Sequence, residues 1–231
     1  MMLIDRIIAP YFETNCWILA LGSGQECIIV DPGMAKPNLV SEIEQKVSDL
    51  RLKPVAVFIT HGHLDHTFSV LPLTKQVPMR TFITGADRFL LTNPMGALDP
   101  GGVSEQFLRA FGVEKFKEPD EIIELEDFST FEVAGMQFTS IFAPGHTKGS
   151  VIFTVDNQYL ISGDVLFAGS IGRTDLPTGS ASQMRKTLRD RILTLPDGLN
   201  VLPGHGGQTT IGTERVRNPY LQDDFLDQNG R

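Results

Sequence analysis

The stretch Val55-Ala56-Val57-Phe58-Ile59-Thr60-His61-Gly62-His63-Leu64-Asp65-His66 joins a fully apolar strand, Val55–Thr60, to a run of metal-binding side chains. Alternate residues of extended chain face the same side, so His61 and His63 can point together at one metal ion. Asp65 and His66 come as the chain turns into the next helix, Phe68–Lys75, and can face a neighbouring position. Gly62 lets the loop bend closely around an ion.

The chain has five histidines, and the other two both follow Pro-Gly, as Ala143-Pro144-Gly145-His146 and Leu202-Pro203-Gly204-His205. Alone, each reads as a solvated or packed loop residue. In context each ends an apolar strand, as His61 does, and strand ends on one sheet edge are where sites assemble. Imidazole is the commonest biological metal ligand, and five of them with nearby aspartates can hold two cations. Asp164, in Ser162-Gly163-Asp164-Val165-Leu166-Phe167, reads either as an Asx turn or as a carboxylate bridging two metals. Asp31, in Val30-Asp31-Pro32-Gly33, is a plain turn residue or a partner that orients a ligand.

At 231 residues the chain can bury a substantial core in one domain, and its 41% hydrophobic and 21% charged content is ordinary for a globular protein. A net charge of −8 argues against nucleic acid as a partner but leaves room for a small anionic substrate. No signal peptide and no apolar run of membrane-spanning length is read in it. Cys16 and Cys27 lie inside apolar strand-like runs and are expected as free, buried thiols, which fits a reducing, cytoplasmic location.

Strands are expected at Leu3–Ala9, Cys16–Leu21, Cys27–Val30, Thr81–Thr84, Ile122–Leu125, Thr130–Val133, Gln137–Phe142, Val151–Val155, Tyr159–Ser162 and Asn200–Leu202. Helices are expected at Leu39–Leu52, Asp87–Leu91, Ser104–Phe111 and Ser182–Leu195. Hairpin links give antiparallel pairs and helical links parallel ones, so mixed sheets covered by helices follow. Asn93–Pro119 is the least regular stretch and reads as an insertion over one end of the fold, a substrate wall. The tail from Gln222 to Arg231 reads as mobile.

The ordered set His61-x-His63-x-Asp65-His66, His146, Asp164 and His205 resembles the metallo-β-lactamase superfamily, over nearly the whole chain from Asp31 to His205. The resemblance implies an α/β fold, the αββα four-layer sandwich of two mixed sheets flanked by helices. It implies two divalent metal ions, zinc before iron or manganese. The first takes His61, His63 and His146, the second Asp65, His66 and His205, and Asp164 bridges them. Within the superfamily, the stretches Ala143–Thr147, Ser162–Phe167 and Gly169-Ser170-Ile171-Gly172-Arg173-Thr174-Asp175 resemble the short bacterial glyoxalase II (hydroxyacylglutathione hydrolase) group. Too few residues follow His205 for the C-terminal helical domain of longer members. Arg173 and Asp175 stand near the places of that group's lysine and tyrosine.

The implied reaction is hydrolysis of a hydroxyacyl thioester to hydroxy acid and thiol by a hydroxide shared between the metals, with Asp65 and Asp164 holding it. Arg173 is a candidate clamp for a substrate carboxylate. Arg217, Asn218 and Tyr220 are candidates to close the pocket, Tyr220 by touching substrate, and Lys148 is expected in solvent. Gly172-Arg173-Thr174-Asp175 also resembles the persulfide dioxygenases, which would use one iron on His61, His146 and Asp164. A lactonase-like hydrolase and a metal-dependent binding protein without turnover are the further alternatives.

Overall fold

The computed structural model describes residues 2–98, 111 and 115–227. Two six-stranded sheets form the centre. The first runs β1 (Leu3–Ile8), β2 (Asn15–Ala20), β3 (Glu26–Val30), β4 (Lys53–Phe58), β5 (Arg80–Thr84) and β6 (Ile122–Leu125), in that order. Hairpins make β1–β2 and β2–β3 antiparallel; helical crossovers make β3–β4 and β4–β5 parallel, and β5–β6 is parallel as well. The second contains β7 (Ser129–Val133), β8 (Met136–Phe142), β9 (Val151–Val155), β10 (Tyr159–Gly163), β11 (Asn200–Pro203) and β12 (Thr209–Thr210), in the order β12-β11-β10-β9-β8-β7. There β10–β11 is the parallel pair.

Side-chain alternation builds the layers. Trp17 and Leu19 of β2 and Ile28 and Val30 of β3 face the space between the sheets, where they meet Phe138, Phe153 and Leu202. The intervening Cys16, Ile18, Cys27 and Ile29 face outward, onto Ile43 of α1 (Val40–Asp49) and Val70 and Leu73 of α3 (Val70–Gln76). On the far side, Ile152, Leu160 and Val201 pack under Met184 of α5 (Ala181–Thr187) and Leu188 and Ile192 of the π-helical turn that continues it. The result is helix, sheet, sheet, helix: the expected four-layer sandwich. Strands buried on both faces read as continuous apolar runs, and Val55–Thr60 was legible for that reason.

Some boundaries differ from the sequence reading. Strand β4 starts at Lys53, because a bulge between Cys27 and Ile28 gives Pro54 a place in the ladder. The helix expected over Ser182–Leu195 is α-helical only to Thr187. β12, α6 (Ile211–Arg217) and α7 (Asp223–Leu226) carry no strong periodic signal and were not expected. The start of the tail is ordered: Leu226 is buried in the outer core, and its carbonyl accepts a hydrogen bond from Arg189. Of the Asn93–Pro119 stretch, Pro94–Ala97 forms a 3₁₀ turn and Phe111 packs edge-on against Tyr11 and Phe68. The helix expected at Ser104–Phe111 lies, Phe111 apart, outside the described residues. Among the described residues no helix is long and apolar enough to cross a membrane.

Cys16 and Cys27 are both free and buried. Burial raises the Cys27 thiol to about 12 and the Cys16 thiol further, with Asp31 adding to the latter. At pH 8 the thiolate of Cys27 is then about one part in 10⁴. A thiol reagent is expected to label neither cysteine of the native protein at pH 8 and both after unfolding; rapid labelling of the native protein would contradict this burial.

Candidate metal centre

The loops that leave β4, β8, β10 and β11 meet at one end of the sandwich. His61, Gly62 and His63 follow β4, and α2 (Leu64–Thr67) begins at once, so Asp65 and His66 occupy its first turn. His146 follows β8, Asp164 follows β10, and His205 follows β11. Two glycines make the convergence possible. Gly145 adopts φ +147°, and a Cβ there would lie 2.5 Å from the Met184 Cα. A Cβ on Gly204 would lie 2.1 Å from Asp164 Oδ1.

The donor atoms face one another. His61 Nε2 lies 3.0 Å from His63 Nδ1 and 3.2 Å from His146 Nε2. His66 Nε2 lies 3.2 Å from His205 Nε2, 3.5 Å from Asp65 Oδ2 and 3.4 Å from Asp164 Oδ1. Asp164 Oδ2 is 3.5 Å from His146 Nε2 and 3.4 Å from His205 Nε2, and so touches both groups. Tetrahedral coordination at zinc–ligand distances of 2.0–2.1 Å gives donor–donor edges of about 3.3 Å. The ring of donors thus has the size that a small divalent cation requires. Among the described residues, three sets can hold one: His61, His63 and His146; His61, His66 and Asp164; Asp65, His66 and His205.

The outer partners fix which nitrogens carry lone pairs. His146 Nδ1 donates to the Arg173 carbonyl at 2.7 Å, leaving Nε2 to face the centre. Thr60 Oγ1 donates to Asp31 Oδ2 at 2.6 Å and therefore accepts from His61 Nδ1 at 3.1 Å. His66 Nδ1 donates to the same Asp31 oxygen at 2.9 Å. Asp31 also accepts the Thr60 N–H at 2.8 Å, so it orients ligands as well as closing a turn. Asp164 Oδ1 is buried and makes no hydrogen bond among the described residues; His63 Nε2 is unpartnered too, but it is the ring's other nitrogen, Nδ1, that faces His61. Desolvated polar atoms without partners are costly, and donor sets that converge on a common point fit a cation as the missing partner.

Charge divides the centre into two halves. Burial and the neighbouring imidazoles push His61 well below the ordinary histidine range, and burial with His146 beside it takes His63 down to about 3. The other half is the reverse. Burial would lower His66, but Asp164, Asp65 and Asp31 hold it well above its ordinary value. Burial would likewise lower His205, but hydrogen bonds to Asp164 and Asp65 raise it to about 9. Against their own desolvation, Asp164 is held well below the carboxylate range by His66 and His205, and Asp65 is held at about 2 by the same pair. In one half burial disfavours the charged form of His61 and His63; in the other, the carboxylates favour the charged form of His66 and His205.

The remaining candidates fall in different settings. Arg173 lends the centre its carbonyl, while its guanidinium is exposed and makes a bidentate pair with Asp175 at 2.7 and 2.8 Å. Asn218 is buried and donates to the Phe167 and Ser170 carbonyls, so it fastens a loop. Tyr220 packs edge-on against Phe225 in the outer apolar layer. Arg217 and Lys148 are exposed. Sequence reasoning missed Thr14, whose Oγ1 donates to Asp65 Oδ2 at 3.0 Å, and the grip of Asn15 and Trp17 on the Pro203 carbonyl beside His205. It also missed Asp87, which accepts the Gly62 N–H. The available signals were slight: a polar Thr-Asn pair heading an apolar strand, and an acid just past the end of a strand parallel to β4.

The profile of the Metallo-beta-lactamase superfamily matches residues 9–205. An uncharacterized protein of Mycobacterium tuberculosis is 39% identical over 228 residues, covering 96% of this chain and 98% of its own. The hydroxyacylglutathione hydrolase GloC of Haemophilus influenzae is 32% identical, covering 95% and 98% of the two chains. Among solved structures, the BLEG-1 B3 metallo-beta-lactamase is similar with a TM-score of 0.78 and 29% identity, over 95% of this chain and 99% of that one. Fold, donor geometry and relatives agree, and the chain belongs to the metallo-beta-lactamase superfamily.

Proposed function

We propose that this protein is a thioester hydrolase of glyoxalase II type, cleaving hydroxyacylglutathione or a related hydroxyacyl thiol to the hydroxy acid and thiol. The supporting observation is the convergence of five imidazoles and two carboxylates on one centre, in a chain 32% identical along nearly its whole length to a hydroxyacylglutathione hydrolase. His61, His63 and His146 would hold one cation, Asp65, His66 and His205 a second, and Asp164 would reach both; we assign zinc, with iron or manganese as substitutes. Two such cations supply an acidified water and polarisation of the substrate carbonyl.

The chain's own groups do the rest. Asp65, kept ionised and fixed by Thr14 Oγ1, can accept a hydrogen bond from the attacking water and aim it. Asp164, buried and also ionised, does the same from the other side. Thiolate is a good leaving group, so no general acid need be supplied. The Arg173–Asp175 pair is exposed, and exposed ion pairs are weak, so a substrate carboxylate can take the place of Asp175.

Zinc-loaded protein is expected to release thiol from S-D-lactoylglutathione. Fully loaded protein that releases none rejects this reading, and oxygen uptake with glutathione persulfide by iron-loaded protein would favour the dioxygenase alternative instead. Arg173→Ala is expected to raise KM about 10-fold with kcat retained, as loss of a charge-assisted hydrogen bond to substrate; an unchanged KM removes the arginine from substrate binding. Loading should also displace protons. With His205 near 9 and His66 raised, both are protonated at pH 7 in metal-free protein, so a weakly buffered zinc titration should acidify. Apparent affinity should rise with pH toward about 9 and fall as pH drops; a titration without proton release would contradict the charge division described above.

A further inference from the structure

Asp87 lies in α4 (Gly85–Arg88), the short helix that follows β5, and is fully buried. Its Oδ2 accepts the Gly62 N–H at 2.8 Å and the Thr147 hydroxyl at 2.6 Å. Its Oδ1 accepts the Gly149 N–H at 2.8 Å. Gly62 separates His61 from His63, and Thr147 follows His146. A single carboxylate therefore joins the chain neighbours of His61, His63 and His146, across the gap between the two sheets. The adjoining contacts make the join stiff: Thr147 Oγ1 also pairs with Ser150 Oγ, and Thr84 Oγ1 donates to the Gly149 carbonyl at 2.6 Å.

The other half is held by different groups. Thr14 fixes Asp65, and Asp31 fixes His66. Asp31 also reaches His61 through Thr60, so it serves both halves. Among the described residues, the Asp87 carboxylate has hydrogen bonds only to the segments that carry the three-histidine set. A buried carboxylate is an expensive way to fill space, since its desolvation must be met by donors. Here those donors belong to the two turns that must keep a fixed separation for His61, His63 and His146 to share one cation.

We propose that Asp87 is a positioning residue for the three-histidine half-site: it locks the His61–His63 turn of one sheet to the His146 turn of the other, and so sets that half-site's affinity for its cation. The proposal rests on the two-cation reading and is independent of which thioester is the substrate.

The test is titration of metal-free protein with Cd(II), read by cadmium NMR, whose shift separates the three-histidine site, richer in nitrogen, from the site of Asp65, His66 and His205, richer in oxygen. Asp87→Asn keeps the volume but turns an NH₂ group toward N–H or O–H donors. It is expected to weaken cadmium binding at the three-histidine site by about 10–100-fold, the usual effect of removing a group that orients a ligand, with the other site unchanged. Thr147→Val removes one of the three donors and should produce a smaller loss at the same site. Thr14→Val, beside Asp65, should weaken the Asp65 site instead. Folded Asp87→Asn protein with wild-type affinity at the three-histidine site, or with equal losses at both sites, overturns the proposal. Should Asp87→Asn fail to fold, Thr147→Val decides: selective loss supports the proposal and unchanged binding overturns it. Wild-type protein that binds fewer than two cadmium ions overturns the two-cation reading itself, a result that none of the variants can mimic.

Discussion

Charge withdrawn from water is the constraint around which this molecule is arranged. Asp31, Asp87, Asp164 and four of the five imidazoles are buried at the edge where the two sheets meet, with Asp65 and His205 close behind. An unpartnered buried charge is among the most destabilising features a fold can hold. Three of these carboxylates are accordingly given donors: Thr60 and His66 for Asp31, two backbone N–H groups and Thr147 for Asp87, Thr14 and His205 for Asp65; Asp164 keeps one oxygen without a hydrogen bond among the described residues. The turns, the close glycine contacts and the grip of the first hairpin on the His205 loop follow from the need to bring those donors in. Apolar packing supplies the platform; the polar network decides where the strands must stop.

The layers were legible in the sequence because strands covered on both faces cannot hide their composition. Val55–Ile59 and Cys27–Val30 are apolar without interruption, Val151–Val155 is broken by Thr154 alone, and all three are central strands. The metal-binding run was legible because its residues are close in sequence and rare in ordinary turns. His146 and His205 needed more, since a single loop histidine has many uses; their shared Pro-Gly prefix after a strand supplied it.

What escaped the sequence depends on contacts over long separations. Asp87 meets Thr147 at a distance of sixty positions, and Thr14 meets Asp65 at fifty-one, so neither pair leaves a local pattern. Arg173 drew attention for its guanidinium, yet the centre uses its backbone carbonyl, which any residue would offer. The final helices were overlooked because they are single turns or little more, too short for periodicity to show, and their order comes from Leu221 and Leu226 entering the outer core. A fold of this kind hosts many chemistries, so the site and not the architecture carries the functional reading.

The centre is also lopsided. His61, His63, His66 and His146 are each at most 5% exposed, whereas the side chains of His205 and Asp65 retain 26% and 21%. The second donor set is therefore the more open side of the centre, through Asp65 and His205. Were cations held by both sets, the one on Asp65, His66 and His205 would lie nearer solvent, and the one on the three histidines would be the more shielded from chelators.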